Sequence, residues 1–262
     1  MIARYAIYEV DAVLAALAEH GAAIVSDALP AAACADARAS VDALTPVHWD
    51  EVHDDPRCGG RFLDRYLCVF NRDPYWLPFL DRPGVIEVAE AALGRDCHII
   101  GQTAWRSHPG FKGEPLHVDL LPLAWPEDAV PRAFRVLPLI LTAHFYLNDV
   151  TADLAPTRIV PGSHRAGRPP SESDGDWRGR PAEIVLARAG DCLVFRSDVW
   201  HAGSDNRTRA DVRYLLQVHY GRREMAQHFS PFLEWRFNPA VLAAATARQR
   251  RLLGDHAPGA YD

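Results

Sequence analysis

From residue 97 onward the chain is a series of short apolar runs separated by turn-forming residues, and this texture limits the folds open to it. CHIIGQTAW, AFRVLPLILTAHFYL, TRIVPGS, AEIVLA, DCLVFRS and RYLLQVHY each read as a strand, with Gly, Pro, Asn and Asp between them. Short strands spaced this way predict a barrel or sandwich. The first 95 residues are patterned differently. VDAVLAALAEH (10–20) repeats apolar residues at helical spacing and stops at Gly21, AAIV (22–25) is a strand, and Asp27-Ala-Leu-Pro30 opens a second helix to about Leu44. A third helix is expected over Pro83–Leu93, closed by Gly94, and a last one over PAVLAAATARQRRLL (239–253). The stretch from Pro46 to Asp73 reads as an irregular excursion, and the polar, Gly/Pro-rich stretch from Arg165 to Pro181 as a long loop. No repeat or linker divides the chain. The expectation is one domain over 1–262, with a helical part at about 1–95, a barrel at about 97–225 and a closing helix.

Composition bounds the partners. With 28 basic and 34 acidic residues the net charge is −6, and no basic cluster suggests nucleic acid. No apolar run approaches the ~20 residues needed to span a bilayer, and the Met-Ile-Ala-Arg-Tyr start lacks the pattern of a signal peptide. Five cysteines, an odd number without a Cys-x-x-Cys pair, predict reduced thiols and a cytoplasmic protein. Oligomeric state is not legible.

The chemistry concentrates at Leu116-His117-Val118-Asp119-Leu120. On an extended backbone residues i and i+2 face the same side, so His117 and Asp119 can reach one ion. A third ligand must come from elsewhere, and His201 in SDVWHAGSDN, 201 − 119 = 82 residues later, is the best candidate. Two imidazoles and a carboxylate on one face of an octahedral ion leave three positions open, as Fe(II) oxygenases require. Taken alone His-x-Asp is a weak signal, since a surface histidine followed by a turn aspartate looks the same.

The order of motifs strengthens it. PGFKGEPLHVD, then YLNDVTADLAPTRIVPGSHRAGR, then AGDCLVFRSDVWHAGSDNRTRADVRYLLQVHYG resemble the phytanoyl-CoA dioxygenase family over nearly the whole chain. The resemblance implies a mainly β fold with flanking helices, a double-stranded β-helix of the jelly-roll or cupin type. It implies Fe(II) on His117, Asp119 and His201, with 2-oxoglutarate and O₂ as cosubstrates. In the family an arginine about a dozen residues past the last histidine binds the far carboxylate of 2-oxoglutarate, and Arg213 matches (213 − 201 = 12). The chemistry agrees, because a guanidinium offers a permanently charged, two-pronged partner, and an arginine in the apolar run VRYLLQVHY is costly if left unpaired. Gln102 resembles the glutamine that contacts the cosubstrate in ectoine hydroxylases, which also carry Pro-Gly-Phe-Lys-Gly; the plainer reading is a strand glutamine bonded within its sheet. Arg106 is a second candidate for that pocket. His144 and His219 read as core or pocket-lining histidines, and His164 as part of a structural turn. Asp119 disfavours halogenation, since halogenating relatives replace this carboxylate with a small residue.

Substrate is the least legible part. Walls are expected from 46–75, 120–134 and 165–181, with Trp49, Tyr66, Trp76, Trp125, Phe134 and Trp177, which suits a bulky, largely apolar small molecule. The Ala/Arg-rich composition suggests a GC-rich bacterial genome, where small family members often act in natural-product pathways. Hydroxylation is the default outcome, with ring closure, desaturation and epimerisation reachable from the same substrate radical. Two other readings are a cupin-type barrel acting as an isomerase or cosubstrate-free dioxygenase, favoured if Arg213 is exposed, and a non-catalytic binding module.

Overall fold

The computed structural model describes residues 1–46, 62–121, 137–229 and 235–258. Three helices precede or flank the sheet: α1 Val10–His20, α2 Ala31–Asp42 and α3 Val85–Leu93. α1 buries Val13, Ala16 and Leu17 and ends at Gly21, whose φ of 82° is open to glycine and whose N–H donates to the Leu17 carbonyl at 3.1 Å. α3 opens where the Glu87 carboxylate accepts the Gly84 N–H at 2.6 Å.

The strands are β1 Arg4–Tyr5, β2 Ala22–Val25, β3 Leu63–Leu67, β4 His98–Ser107, β5 Ile140–Tyr146, β6 Thr157–Ile159, β7 Asp176–Trp177 and β8 Arg180–Pro181. β9 Glu183–Ile184, β10 Cys192–Arg196, β11 His201–Gly203 and β12 Arg213–Gly221 complete the set. They form a seven-stranded sheet in the order β1-β2-β10-β5-β12-β4-β3, a smaller sheet β11-β6-β9, and the β7-β8 pair. Alternation then sorts the side chains. Ala104, Phe145, Val194, Leu216 and Val218 face the helices and join Leu17, Ala37, Val88 and Leu252 in one buried cluster. Their neighbours along each strand, Tyr146, Leu193, Phe195 and Leu215, face the smaller sheet and meet Ile159 and Val185. The site lies on this inner side. This is the mainly β, cupin-type architecture expected.

Three details differ from the sequence reading. β3 lies inside the stretch read as irregular, and its Asp64 is buried against Arg106 and His108, partners more than forty residues away. AEIVLA contributes only Glu183–Ile184 as a strand, with a single further bridge between Ala187 and Val150. The closing helix is two pieces, α4 Pro239–Ala244 and α5 Ala247–Leu252, because Ala245 turns extended (ψ 132°) and Thr246 starts afresh. Thr246 Oγ1 accepts from the Gln249 amide at 3.2 Å while Gln249 Oε1 accepts from the Thr246 amide at 3.0 Å, a reciprocal cap that begins a helix. No helix among the described residues is long and apolar enough to cross a membrane.

Candidate metal centre and its pocket

His117 and His201 are brought together by their own backbones. The His117 N–H donates to the His201 carbonyl at 2.9 Å and the His201 N–H returns the bond at 3.0 Å, an antiparallel pair whose side chains share one face. Two residues on, the amides of Asp119 and Leu120 both donate to the Ser197 carbonyl, at 3.0 and 3.2 Å. The His-x-Asp segment is therefore fastened beside the strand that carries the second histidine.

The tautomers follow from local bonds. His117 Nδ1 donates to the Pro115 carbonyl at 2.9 Å and His201 Nδ1 to the Val199 carbonyl at 3.0 Å. With Nδ1 committed to a carbonyl, Nε2 is the nitrogen each imidazole offers to a metal. These nitrogens lie 3.8 and 3.5 Å from the Asp119 Oδ1, and the ligand atoms of all three residues fall within 4.8 Å of one another. Bonds of about 2.1 Å at right angles would set neighbouring ligand atoms about 3 Å apart, so a small contraction closes the set around one cation. Burial alone would raise the Asp119 pKa. His201, His219 and His117 overcome it and hold the carboxyl well below its ordinary range. Burial likewise pushes His201 down, but Asp119 raises it above its usual value. The carboxylate is thus already ionised, as a ligand must be.

The three residues open into a cavity of about 430 Å³ that Leu63, Trp105, Phe111, His144, Arg213 and Gln217 also line. Arg213 is 6% exposed. Its guanidinium donates to the Ala155 carbonyl and, at 3.2 Å, to Ser107 Oγ, while Nε has no partner. Among the described residues no carboxylate lies within ion-pair distance of it. His144, also buried, accepts at Nε2 from the Gln217 amide at 2.9 Å and leaves Nδ1 without a partner. His219 shares the same wall, with Nδ1 3.0 Å from Thr142 Oγ1.

Not every expected residue joins them. Gln102 stands opposite Val218 in the β4–β12 register, on the face turned to the helices, and its amide has no partner there. Its neighbours Thr103 and Trp105 stand opposite Gln217 and Leu215, which line the cavity, so Gln102 is one residue out of phase. Arg106 stands opposite Tyr214 on that same outer face and is paired with Asp42 at 2.8 Å and Asp64 at 2.7 Å, which removes it as an alternative to Arg213. The aromatic wall is also corrected. Tyr66 and Trp76 are core residues, and Trp177 meets Trp200 edge to face with ring centres 5.6 Å apart. Trp49, Trp125 and Phe134 fall outside the described residues. Among the described residues, the large aromatics that line the cavity are Trp105 and Phe111. Alternation was the available signal: positions 213, 215, 217 and 219 of one extended strand all point inward.

Comparison with known proteins places these features in context. The family model of phytanoyl-CoA dioxygenase (PhyH) matches residues 17–214. An uncharacterized protein of Mycobacterium tuberculosis, Rv1501, is 26% identical over 236 residues, covering 89% of this chain and 82% of its own. HygX from Streptomyces hygroscopicus, solved with nickel and 2-oxoglutarate, superposes with a TM-score of 0.66 at 16% identity, over 82% of this chain and 88% of its own. SnoN, a non-haem α-ketoglutarate-dependent epimerase from nogalamycin biosynthesis, superposes with a TM-score of 0.64 at 18% identity, over 82% and 83%.

Proposed function

The chain belongs to the phytanoyl-CoA dioxygenase family, and on that footing we propose that it is a non-haem Fe(II)- and 2-oxoglutarate-dependent oxygenase of a small molecule. One observation carries the proposal. His117, Asp119 and His201 converge on one point, and in the same cavity a buried guanidinium lacks an acidic partner. A buried cation left in this state is costly unless a ligand supplies the anion. The donor set, two neutral imidazoles and one carboxylate, suits Fe(II). When bound, iron and the oxoacid supply the oxidising chemistry: O₂ takes two electrons from the decarboxylation of 2-oxoglutarate to succinate and two from a substrate C–H bond.

The protein's part is positional. His117, Asp119 and His201 would hold the metal through two imidazole nitrogens and a carboxylate oxygen. Arg213 takes the far carboxylate of the oxoacid, an assignment its unpartnered Nε supports. His144 Nδ1, another buried atom without a hydrogen-bond partner on a residue lining the cavity, is the donor we assign to the same ligand. Leu63, Phe111 and Trp105 give that cavity apolar surface. The burial of Arg213 removes the condition that would favour a cosubstrate-free cupin.

The substrate we infer is an intermediate of natural-product assembly. HygX has been solved with hygromycin B bound, and SnoN acts in nogalamycin biosynthesis. Hydroxylation is the default, with epimerisation or cyclisation reachable from the same site. The test is anaerobic addition of Fe(II) and 2-oxoglutarate, read as a weak visible charge-transfer band. A flat difference spectrum, with no succinate formed once air is admitted, would refute the reading.

A further inference from the structure

Trp105, Gln217 and His144 form a chain whose direction is fixed by chemistry. An indole N–H can only donate, and Trp105 Nε1 lies 2.9 Å from Gln217 Oε1. The opposite amide orientation would set two N–H groups against each other, so the carboxamide oxygen must face Trp105. The amide nitrogen is then the atom 2.9 Å from His144 Nε2, and since it too can only donate, that ring nitrogen must accept. A neutral imidazole that accepts at Nε2 carries its proton on Nδ1. His144 is one of the residues that line the cavity, and this nitrogen is buried without a partner among the described residues.

We propose that Gln217 and Trp105 are positioning residues that hold His144 in the tautomer turning a ring N–H toward the oxoacid bound by Arg213, an inference that rests on the function proposed above. His144 stays neutral, because burial, followed by the charges of Arg213 and His201, lowers its pKa well below the ordinary value. The contrast with the metal ligands is direct. In His117 and His201 the Nδ1–H is engaged by a backbone carbonyl and Nε2 is the nitrogen turned to Asp119. In His144 Nε2 is engaged and the free atom carries the hydrogen. His144 is therefore built as a donor to an anion and cannot serve as a fourth metal ligand in this state. Trp105 is itself covered by the Arg65 guanidinium, 4.5 Å above its ring, which holds the origin of the chain in place.

The experiment uses the full chain loaded with Zn(II) as a diamagnetic replacement, with ¹⁵N-labelled histidine, and reads which His144 nitrogen is protonated before and after 2-oxoglutarate. The expected wild-type result is a single Nδ1–H form whose resonance moves on adding the oxoacid. Gln217→Met removes the clamp and Trp105→Phe releases the amide orientation. Each should give mixed tautomers and raise the oxoacid Kd about 3- to 30-fold, the range of a lost hydrogen bond. The second variant answers if the first does not fold. An Nε2–H form in the wild type, or mixed tautomers with an unchanged Kd, would overturn the proposal. Wild-type protein that binds no oxoacid would instead refute the proposed function, and the tautomer read without ligand would still decide whether the clamp exists.

Discussion

His164 closes the last turn of α1 from outside, its Nε2–H donating to the Ala18 carbonyl at 3.2 Å. Its other nitrogen is buried without a partner and lies 2.8 Å from where a Cβ on Gly21 would stand. Burial, followed by the nearby Arg196 and Arg165, lowers its pKa from 6.5 to about 3. The unfolded chain therefore binds a proton between those values that the folded chain refuses, and stability must fall as pH falls through this window. Unfolding midpoints measured from pH 7 to pH 4 should show it. His164→Gln should flatten the dependence by up to about 1.4 kcal/mol per pH unit. Parallel slopes would remove His164 as a source.

The triad makes separable predictions. His117→Ala and His201→Ala should each abolish iron binding and turnover but leave the fold, because the pairing of the two residues is carried by backbone groups. Asp119→Gly should weaken iron binding and sharply reduce coupled substrate oxidation, with chlorination in the presence of chloride at most a trace. Wild-type turnover in Asp119→Gly would exclude it as a ligand.

Arg213→Ala should raise the 2-oxoglutarate requirement about 30- to 4,000-fold while iron affinity changes little. Arg213→Lys should recover only part, since an ammonium cannot reproduce the two-pronged contact. Titration of both variants with the oxoacid provides the measurement, and an unchanged requirement would mean that Arg213 does not hold the carboxylate.

Gly113, four residues before His117, has φ of 73° and lies against the strand of the second histidine. A Cβ there would stand 2.7 Å from the Gly203 carbonyl and 2.9 Å from the Ser204 carbonyl carbon, contacts only backbone movement can relieve. Gly113→Ala should lower stability by about 1–3 kcal/mol and weaken metal binding about 10-fold or more, by pushing the two ligand segments apart. Calorimetry and metal titration would show both effects, and an unaltered metal affinity would show that this loop does not set the ligand spacing.

The sequence made the strands and the candidate ligand positions legible because each is a local pattern: apolar runs between turns, and His-x-Asp on extended backbone. What it hid depends on pairing. Asp64 interrupts an apolar strand for the sake of Arg106 and His108, which no window around it contains. Gln102 and Trp105 share one strand, yet only the register against β12 shows which of them faces the cavity. His144 and Gln217 are 217 − 144 = 73 residues apart and meet only as cross-strand partners. The break in the closing helix was readable, since Thr-x-x-Gln at 246–249 is a helix-start signature, but the apolar repeat across it concealed the stop.

The mutual hydrogen bonding of His117 and His201 has a mechanical consequence. An ion held by both side chains cross-links two segments 201 − 117 = 84 residues apart, at a point where the backbone is already zipped by one antiparallel pair. Opening that pair in the loaded protein would mean rupturing coordination, whereas in the metal-free protein it means parting two backbone hydrogen bonds. Because every residue between them belongs to the loop so closed, an ion bound there would govern the fraying of the smaller sheet as well as the chemistry.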